Sequence, residues 1–469
     1  MRNYFSYVLF FWVHILNAQT GPGGVSDTSG TSDLVIWFKP DKGLVTSGGI
    51  TDTVLSWKNS ANYTAHNVTA TPGSKPIRKS SAVNGMSVVA YNGSSSMLST
   101  TCTLTSTNFP TNTASWFILS KANNTSQNSN VFQSYPFCSN RFSCHIPWAN
   151  IAYADMGNCC GSTARLNATT SNFLTNAIWS YVRNAANGGQ LYSNGSLIAN
   201  QTGSSTYSAQ TNSAFNIGGK DNGAACTSGA SSAKGFDGDI GEIIIFKTRI
   251  DSAKRYIIEN YLSSKYNVSL TTKDLYAGDT PANGDMDLGV VGIGNESGGT
   301  QVISRSDYGL TLDGGTMSTF ASGDYILAGT NNVNTSYNQY FNCDIVNASG
   351  LNTRWERVFY LDVTKSSGTL TISLTFDFRT APQAGTYSLI YRTSDTPGST
   401  WTVASAAGSV SGNTVVFSGI NFTSASDGFY TVAYTVASAS STFGSPGGVS
   451  SGLGLWLKAD AGVNGISNA

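Results

Sequence analysis

The stretch DGDIGE at 237–242 places three carboxylates, Asp237, Asp239 and Glu242, close together in the chain. Retaining hydrolysis of a glycosidic bond needs two carboxyls about 5–5.5 Å apart, one as nucleophile and one as acid. In a regular strand, 237 and 239 share a face and 242 lies opposite, so bringing Glu242 round requires a bulge. Glycines at 235, 238 and 241 permit one, but they equally suit a strand packed closely against another backbone. The bland alternative has Phe236 and Ile240 packed in a strand and Glu242 bonded to a nearby loop. Asp237 and Asp239 also offer oxygen ligands for calcium in a glycine-rich bend, the alternative being an exposed turn.

A second concentration of chemistry is FCSNRFSCHIPWANIAYADMGNCC, which holds Cys138, Cys144, Cys159, Cys160 and His145. Its spacing, C-x5-C-H-x13-C-C, matches no finger or knuckle, which disfavours zinc. Disulfides are the expectation, with Cys102 and Cys226 as further candidates and no connectivity readable. The chain has seven cysteines, Cys343 being the seventh, and an odd number leaves one thiol free or paired between chains.

Sugar recognition by β-sandwiches uses aromatic rings that stack on the sugar, with Asn, Asp or Gly groups taking the hydroxyls. Tyr135, Trp148, Tyr153 and Tyr207 fall in loop-like stretches and are the candidates, with core packing as the alternative for each. Trp37, Trp57, Trp116, Trp179, Trp355 and Trp456 sit in strand-like runs and are expected in cores. No nucleophile elbow, phosphate loop or paired-histidine motif is present; GVVGIGNESGG has no βαβ unit around it and reads as strand and turns. Lys plus Arg equal Asp plus Glu at 26 each, and only 11% of residues are charged, so no basic field exists for nucleic acid.

The elements that position these groups are short runs rich in Val, Ile, Tyr, Phe and Thr, separated by turn residues. They indicate an all-β protein. Residues 1–18 combine Arg2, an apolar stretch too short to span a membrane, and Ala18 at a cleavage position; they read as a secretory signal peptide. No later segment is apolar enough to span, so the rest is expected outside the cell or on its surface. Residues 19–33 read as a linker. Strand-type runs from Leu34 to about Phe246 suggest two packed antiparallel sheets, with Asn194-Gly195 as a tight hairpin turn. From Asp251, an N-cap, Ile257, Ile258, Tyr261, Leu262 and Tyr266 recur at helical spacing, predicting one amphipathic helix that ends near Asn267 with its polar face solvated. A second β-sandwich is expected over 285–437, where TLTISLTFDF alternates cleanly, followed by a Ser/Gly/Pro linker at 438–448.

The ends of the chain echo each other. PGGVS at 22–26 recurs at 446–450, and Trp37, Lys39, Asp41 and Gly43 recur as Trp456, Lys458, Asp460 and Gly462. Residues 449–469 therefore read as the truncated start of a second copy of the first module, and the sequence as a piece of a longer product.

GQLYSNGSLI, GFDGDIGEIIIF, RYIIENYLSSKYNVSL and SCHIPWANIAYADMGN together resemble the laminin G-like, concanavalin A-type jelly-roll modules of secreted and surface proteins in gliding Gram-negative bacteria. LGLWLKADAGV is similar to the opening strand of that module. VVGIGNESGGTQVISRS with RWERVFYLDV resembles an uncharacterised β-rich companion domain. The resemblance implies a jelly roll over 34–275 followed by the companion sandwich. It also implies a non-enzymatic, adhesin-like surface protein that binds a glycan or surface-protein ligand through loops at the jelly-roll rim. The alternatives are a structural spacer in a long modular protein and a glycoside hydrolase. Jelly-roll glucanases carry E-x-D-x-x-E or E-x-D-x-E, whereas here the nucleophile position holds Asp237. Laminin G-like modules sometimes hold calcium at a rim, which keeps Asp237 and Asp239 as metal candidates.

Overall fold

A computed structural model describes residues 20–49, 52–99, 103–135, 140–158, 163–208, 213–219, 235–332, 351, 353–382, 384–396 and 398–436. The expected signal peptide, the second linker and the repeat start with Trp456 lie outside them. The runs WFILS and EIIIF do not alternate because their sheet is covered on both faces. In Thr113–Ala122, Trp116 and Ile118 point into the sandwich interior, while Phe117 and Leu119 point to a second apolar layer. Asp237–Phe246 does the same, with Ile243 and Ile245 on one side and Ile244 and Phe246 on the other.

This first antiparallel sheet runs Ser196–Gln201, Gly188–Ser193, Ala177–Asn184, Thr113–Ala122, Asp237–Phe246, Met86–Asn92, Ile77–Val83, with Leu34–Phe38 also pairing to Asp237–Phe246. The hairpin at Asn194-Gly195 has both residues at positive φ, 47° and 81°, as its sequence predicts. Facing it is a nine-stranded sheet in the order Arg165–Thr169, Ile151–Asn158, Asn140–Trp148, Phe132–Tyr135, Ala214–Ile217, Met97–Ser99, Val68–Ala70, Val54–Trp57, Leu44–Thr46. Trp57, Trp116 and Trp179 fill the space between them.

The second sandwich is one twelve-stranded sheet folded on itself. Thr402–Ser411 makes the fold, pairing first with Gly385–Arg392 and then, through 409–411, with Thr414–Phe422. Leu370–Asp377 alternates strictly between buried and half-buried residues, the one-sided strand its sequence predicts. Trp355, Phe359, Phe376 and Phe417 close the core.

The α-helix Ser252–Tyr266 forms where predicted. Asp251 Oδ1 accepts from Lys254 N–H at 3.0 Å, and Asn267 ends the helix in the left-handed region. Its polar face, however, is not solvated. Arg255, Glu259, Asn260, Ser263, Ser264 and Lys265 are all buried, because the helix lies between the first sheet and Val290, Tyr325 and Leu327 of the second sandwich. Arg255 pairs with Glu259 at 2.7 Å and stacks on Tyr192, which satisfies the buried charge.

Part of the segment expected as a linker, 19–33, is also packed. Gly21 to Val25 are buried in the same layer. Gly24 has φ +77° and lies so close to Ser304 that an added Cβ would sit 2.5 Å from the serine's own, while Gln301 Nε2 donates to Gly24 O at 3.1 Å. Gly48, at φ +70°, faces open space. Gly48→Ala should thus cost only the left-handed backbone term of about 1–2 kcal/mol. Gly24→Ala should cost about 1–3 kcal/mol more from overpacking, read as the difference between the two variants in urea denaturation.

Candidate functional site

Across the outer face of the nine-stranded sheet, register aligns one polar row. Arg165 pairs with Asp155, Asp155 with Ser143, Ser143 with Gln133, and Gln133 with Asn216. Alternation explains the row: Phe132, Phe142, Cys144, Ala154, Leu166 and Phe215 point inward, so their strand neighbours point out.

Asp155 anchors one end. It is buried, and Arg165 donates to it through Nε at 2.6 Å and Nη2 at 2.8 Å, with Arg141 Nη2 at 2.7 Å. Burial by itself would raise this carboxyl, but the Arg165, His145 and Arg141 groups hold it far below the usual carboxylate range. His145 Nδ1 donates to Ser129 O at 3.0 Å. Burial lowers its affinity for a proton, and Arg141 and Arg165 act in the same sense against Asp155, so the ring is held towards its neutral form.

Ser143, His145 and Asp155 superficially make a nucleophilic set. Ser143 Oγ lies 3.1 Å from His145 Nε2 and 3.3 Å from Asp155 Oδ2, and that carboxylate oxygen lies 3.2 Å from the same Nε2. A relay needs the acid on the nitrogen opposite the nucleophile. Here both crowd one nitrogen, so the set is a structural network.

The middle of the row is different. Gln133 is fully buried, yet neither Nε2 nor Oε1 has a hydrogen-bond partner, and Asn216 Oδ1 and both amide atoms of nearby-sequence Asn130 also lack one. Each such group costs about 1–3 kcal/mol unless something fills its valence. Gly219 leaves room for the Asn216 amide, since a Cβ there would fall 2.1 Å from Oδ1.

Of the four nominated aromatics, two meet at this face. A ladder shift between His145 and Trp148 brings the indole edge-on to the imidazole at 5.3 Å, and Tyr153 meets the same imidazole at 6.3 Å with Arg165 over its ring at 4.5 Å. Both are half-buried strand residues rather than loop residues. Tyr207 is corrected: it is 1% exposed and packs on Phe109 in the core, so it cannot stack on a sugar. Tyr135 ends a strand paired to Ala214, and its side chain lies outside the description.

Asp237 and Asp239 diverge. Asp237 accepts from Asn123 at 2.7 Å and Asn124 at 3.2 Å, and Asp239 takes the Lys79 ammonium at 2.7 Å. Each carboxylate is thus bonded to a different set of nitrogen donors, and among the described residues no group of three His, Cys, Asp or Glu is arranged to hold a metal. Cys144 is a free, buried thiol in the core, not a disulfide partner; burial and Asp155 push it well above the usual thiol range. Cys102, Cys138, Cys159, Cys160 and Cys226 lie outside the described residues.

Glu242 is not bonded to a loop. The strand does shift register between Ile240 and Ile243, as the glycines permit, and this turns Glu242 beneath the helix. There it accepts from Trp37 Nε1 at 2.8 Å, Tyr261 OH at 2.9 Å, Lys265 Nζ at 2.6 Å and Tyr266 OH at 3.3 Å. Burial and the adjacent Glu242 push both phenols well above the usual tyrosine range, so they remain donors.

No family model matches the chain, and no curated protein does. Among solved structures it is similar to domain 4 of AbnA, a GH43 extracellular arabinanase from Geobacillus stearothermophilus in complex with arabinotriose. That likeness has 13% identity over 46% of this chain and 93% of that one, with a TM-score of 0.32. It is similar to the Ruminococcus gnavus IT-sialidase CBM40 bound to α2,3 sialyllactose at 15% identity, over 32% and 82%, with a TM-score of 0.25. The binding domain of botulinum neurotoxin DC in complex with SialylT has 10% identity, over 87% and 96%, and a TM-score of 0.34. No helix among the described residues is long and apolar enough to cross a membrane.

Proposed function

We propose that the chain is an exported, non-catalytic glycan-binding protein of the laminin G-like kind, and that the sugar contacts the polar face of the nine-stranded sheet rather than rim loops. The observation that carries this is Gln133, a buried amide with neither atom partnered, between Ser143 and Asn216 in one row. An amide offers a donor pair and an acceptor, the complement of adjacent sugar hydroxyls. Trp148 and Tyr153, half-buried at the end of the row, supply the stacking surfaces from which a ligand enters. A catalytic role for Glu242 has no support, since Lys265 and three neutral donors already occupy its oxygens.

A glycan array with the full chain tests the reading. One glycan class should bind, and Gln133→Leu should weaken it about tenfold, the worth of roughly one hydrogen-bonded pair. The same variant should melt at or above the wild-type temperature, because it removes an unpartnered buried amide. Loss of affinity together with gain of stability separates a binding role from a packing role. A blank array would leave the spacer reading, and a Gln133→Leu variant that binds like wild type would remove the sheet face as the site.

A further inference from the structure

We propose that the cleft between the two sandwiches is a second ligand site. It takes a polyhydroxylated carboxylate the size of a hexuronic acid, whose carboxyl group is anchored by the Lys39 ammonium. The site shares no residue with the polar row and does not depend on it. Its volume, about 690 Å³, falls in the range of small-ligand pockets. One wall is the first strand and the helix; the other is the 288–291 and 305–308 segments of the second sandwich.

Lys39 carries the inference. Its side chain is 7% exposed, and its Nζ lies 3.8 Å from the centre of the Trp37 ring and 3.6 Å from Asp307 Oδ2. An ammonium has three N–H donors, and a buried charge is tolerated when it is paired and hydrogen-bonded. Among the described residues no oxygen accepts from Lys39 at hydrogen-bond distance; an aromatic face and a half-exposed carboxylate are its company. Burial pushes the ammonium below the usual lysine range, and Asp307 offsets this only in part. Lys265, which lines the same cleft, is already committed to Glu242 at 2.6 Å and Asp41 at 3.1 Å. Arg305 and Arg379 in the same lining share Asp377, and Lys42 is exposed to solvent, so the buried cation of the cleft with N–H donors to spare is Lys39.

The remaining groups narrow the ligand. Asp41 and Asp307 flank the anchor and repel a phosphate or a polyanion, but each accepts hydrogen bonds from hydroxyls. One carboxylate joined to several hydroxyls fits that alternation, as in a sugar acid. Lys39 and Asp41 also belong to the pattern that recurs as Lys458 and Asp460, so the anchor and its flank are encoded twice.

Calorimetric titration of the full chain with sodium D-glucuronate tests the assignment, with D-glucose as the neutral ring and sodium acetate as the bare carboxylate. Glucuronate should bind at least tenfold more tightly than either, and Lys39→Met should abolish that advantage. Asp307→Asn, at the half-exposed mouth of the cleft, should raise glucuronate affinity by removing a competing negative charge, with its urea midpoint read alongside to establish that the variant is folded. An oligosaccharide ending in glucuronate separates a glycan end from the free acid, and binding of either upholds the chemistry. No glucuronate binding, equal binding of glucose or acetate, unchanged binding by Lys39→Met, or a fall in affinity with Asp307→Asn would each overturn it.

Discussion

Lys265→Met should destabilise the protein by about 3–5 kcal/mol, the cost of stranding one member of a buried ion pair. Glu242 is fully buried, and its other partners, the Trp37 indole and the Tyr261 and Tyr266 hydroxyls, are neutral. They satisfy its lone pairs but not its charge. Glu242→Gln should cost less than Lys265→Met, because the ammonium it strands retains Asp41 at 3.1 Å, a carboxylate whose side chain is 43% exposed. The double variant Lys265→Met with Glu242→Leu should recover part of the loss, since apolar groups of similar volume replace a buried pair at little net cost. Urea denaturation of the three variants reads all of this. If Lys265→Met costs under about 1 kcal/mol, the pair is not the counter-charge arrangement drawn from its geometry.

The Glu242 network also shows why the sequence could nominate a residue and miss its role. DGDIGE was legible as a strand with room for a bulge, and the register shift is there. What decides the function of Glu242 is Trp37, some two hundred residues earlier, and Lys265 from a helix that crosses above it. Local spacing carries no information about such contacts. The helix gives the same lesson in another form. Its cap, its apolar positions and its end were readable because they depend on neighbours within one turn or two. Its polar face was misread as solvated because Arg255 and Glu259, four residues apart, look identical in sequence whether water or a second sandwich lies over them.

The polar row was harder still. Gln133, Ser143 and Asn216 are ordinary polar residues on three different strands, and they align only through pairing between residues as far apart as 133 and 216. Trp148 and Tyr153 were reachable because aromatic residues near a turn are conspicuous. Tyr207 met the same criterion and went to the core, since residue type alone does not say which way a side chain points. The recurring W-x-K-x-D pattern was legible as a repeat, while its physical meaning came from the fold. The Trp37 indole bonds Glu242, Lys39 stacks on that indole, and Asp41 reaches Lys265, so the pattern locks strand to helix and lines the cleft beside them.

Asp155→Asn should match Lys265→Met in size, about 3–5 kcal/mol at neutral pH, because it takes one carboxylate from between two guanidinium groups and a buried imidazole. The pH dependence identifies the cause. The folded-state carboxyl is held far below its unfolded value near 3.9, so its contribution is complete above about pH 5 and is lost as pH falls from there towards the folded value. The gap in stability between wild type and Asp155→Asn should accordingly be flat from pH 8 to about 5 and narrow below about pH 4. Denaturation midpoints measured at several pH values give that gap directly. A gap that persists undiminished at pH 3 would mean that the loss comes from shape and not from charge. Since Asp155 and Gln133 stand two strands apart in one row, the same variant divides the row by task. Retained glycan binding would make Asp155 a support that fixes the strands, and lost binding in a folded Asp155→Asn would extend the sugar contact from Gln133 to the arginine end.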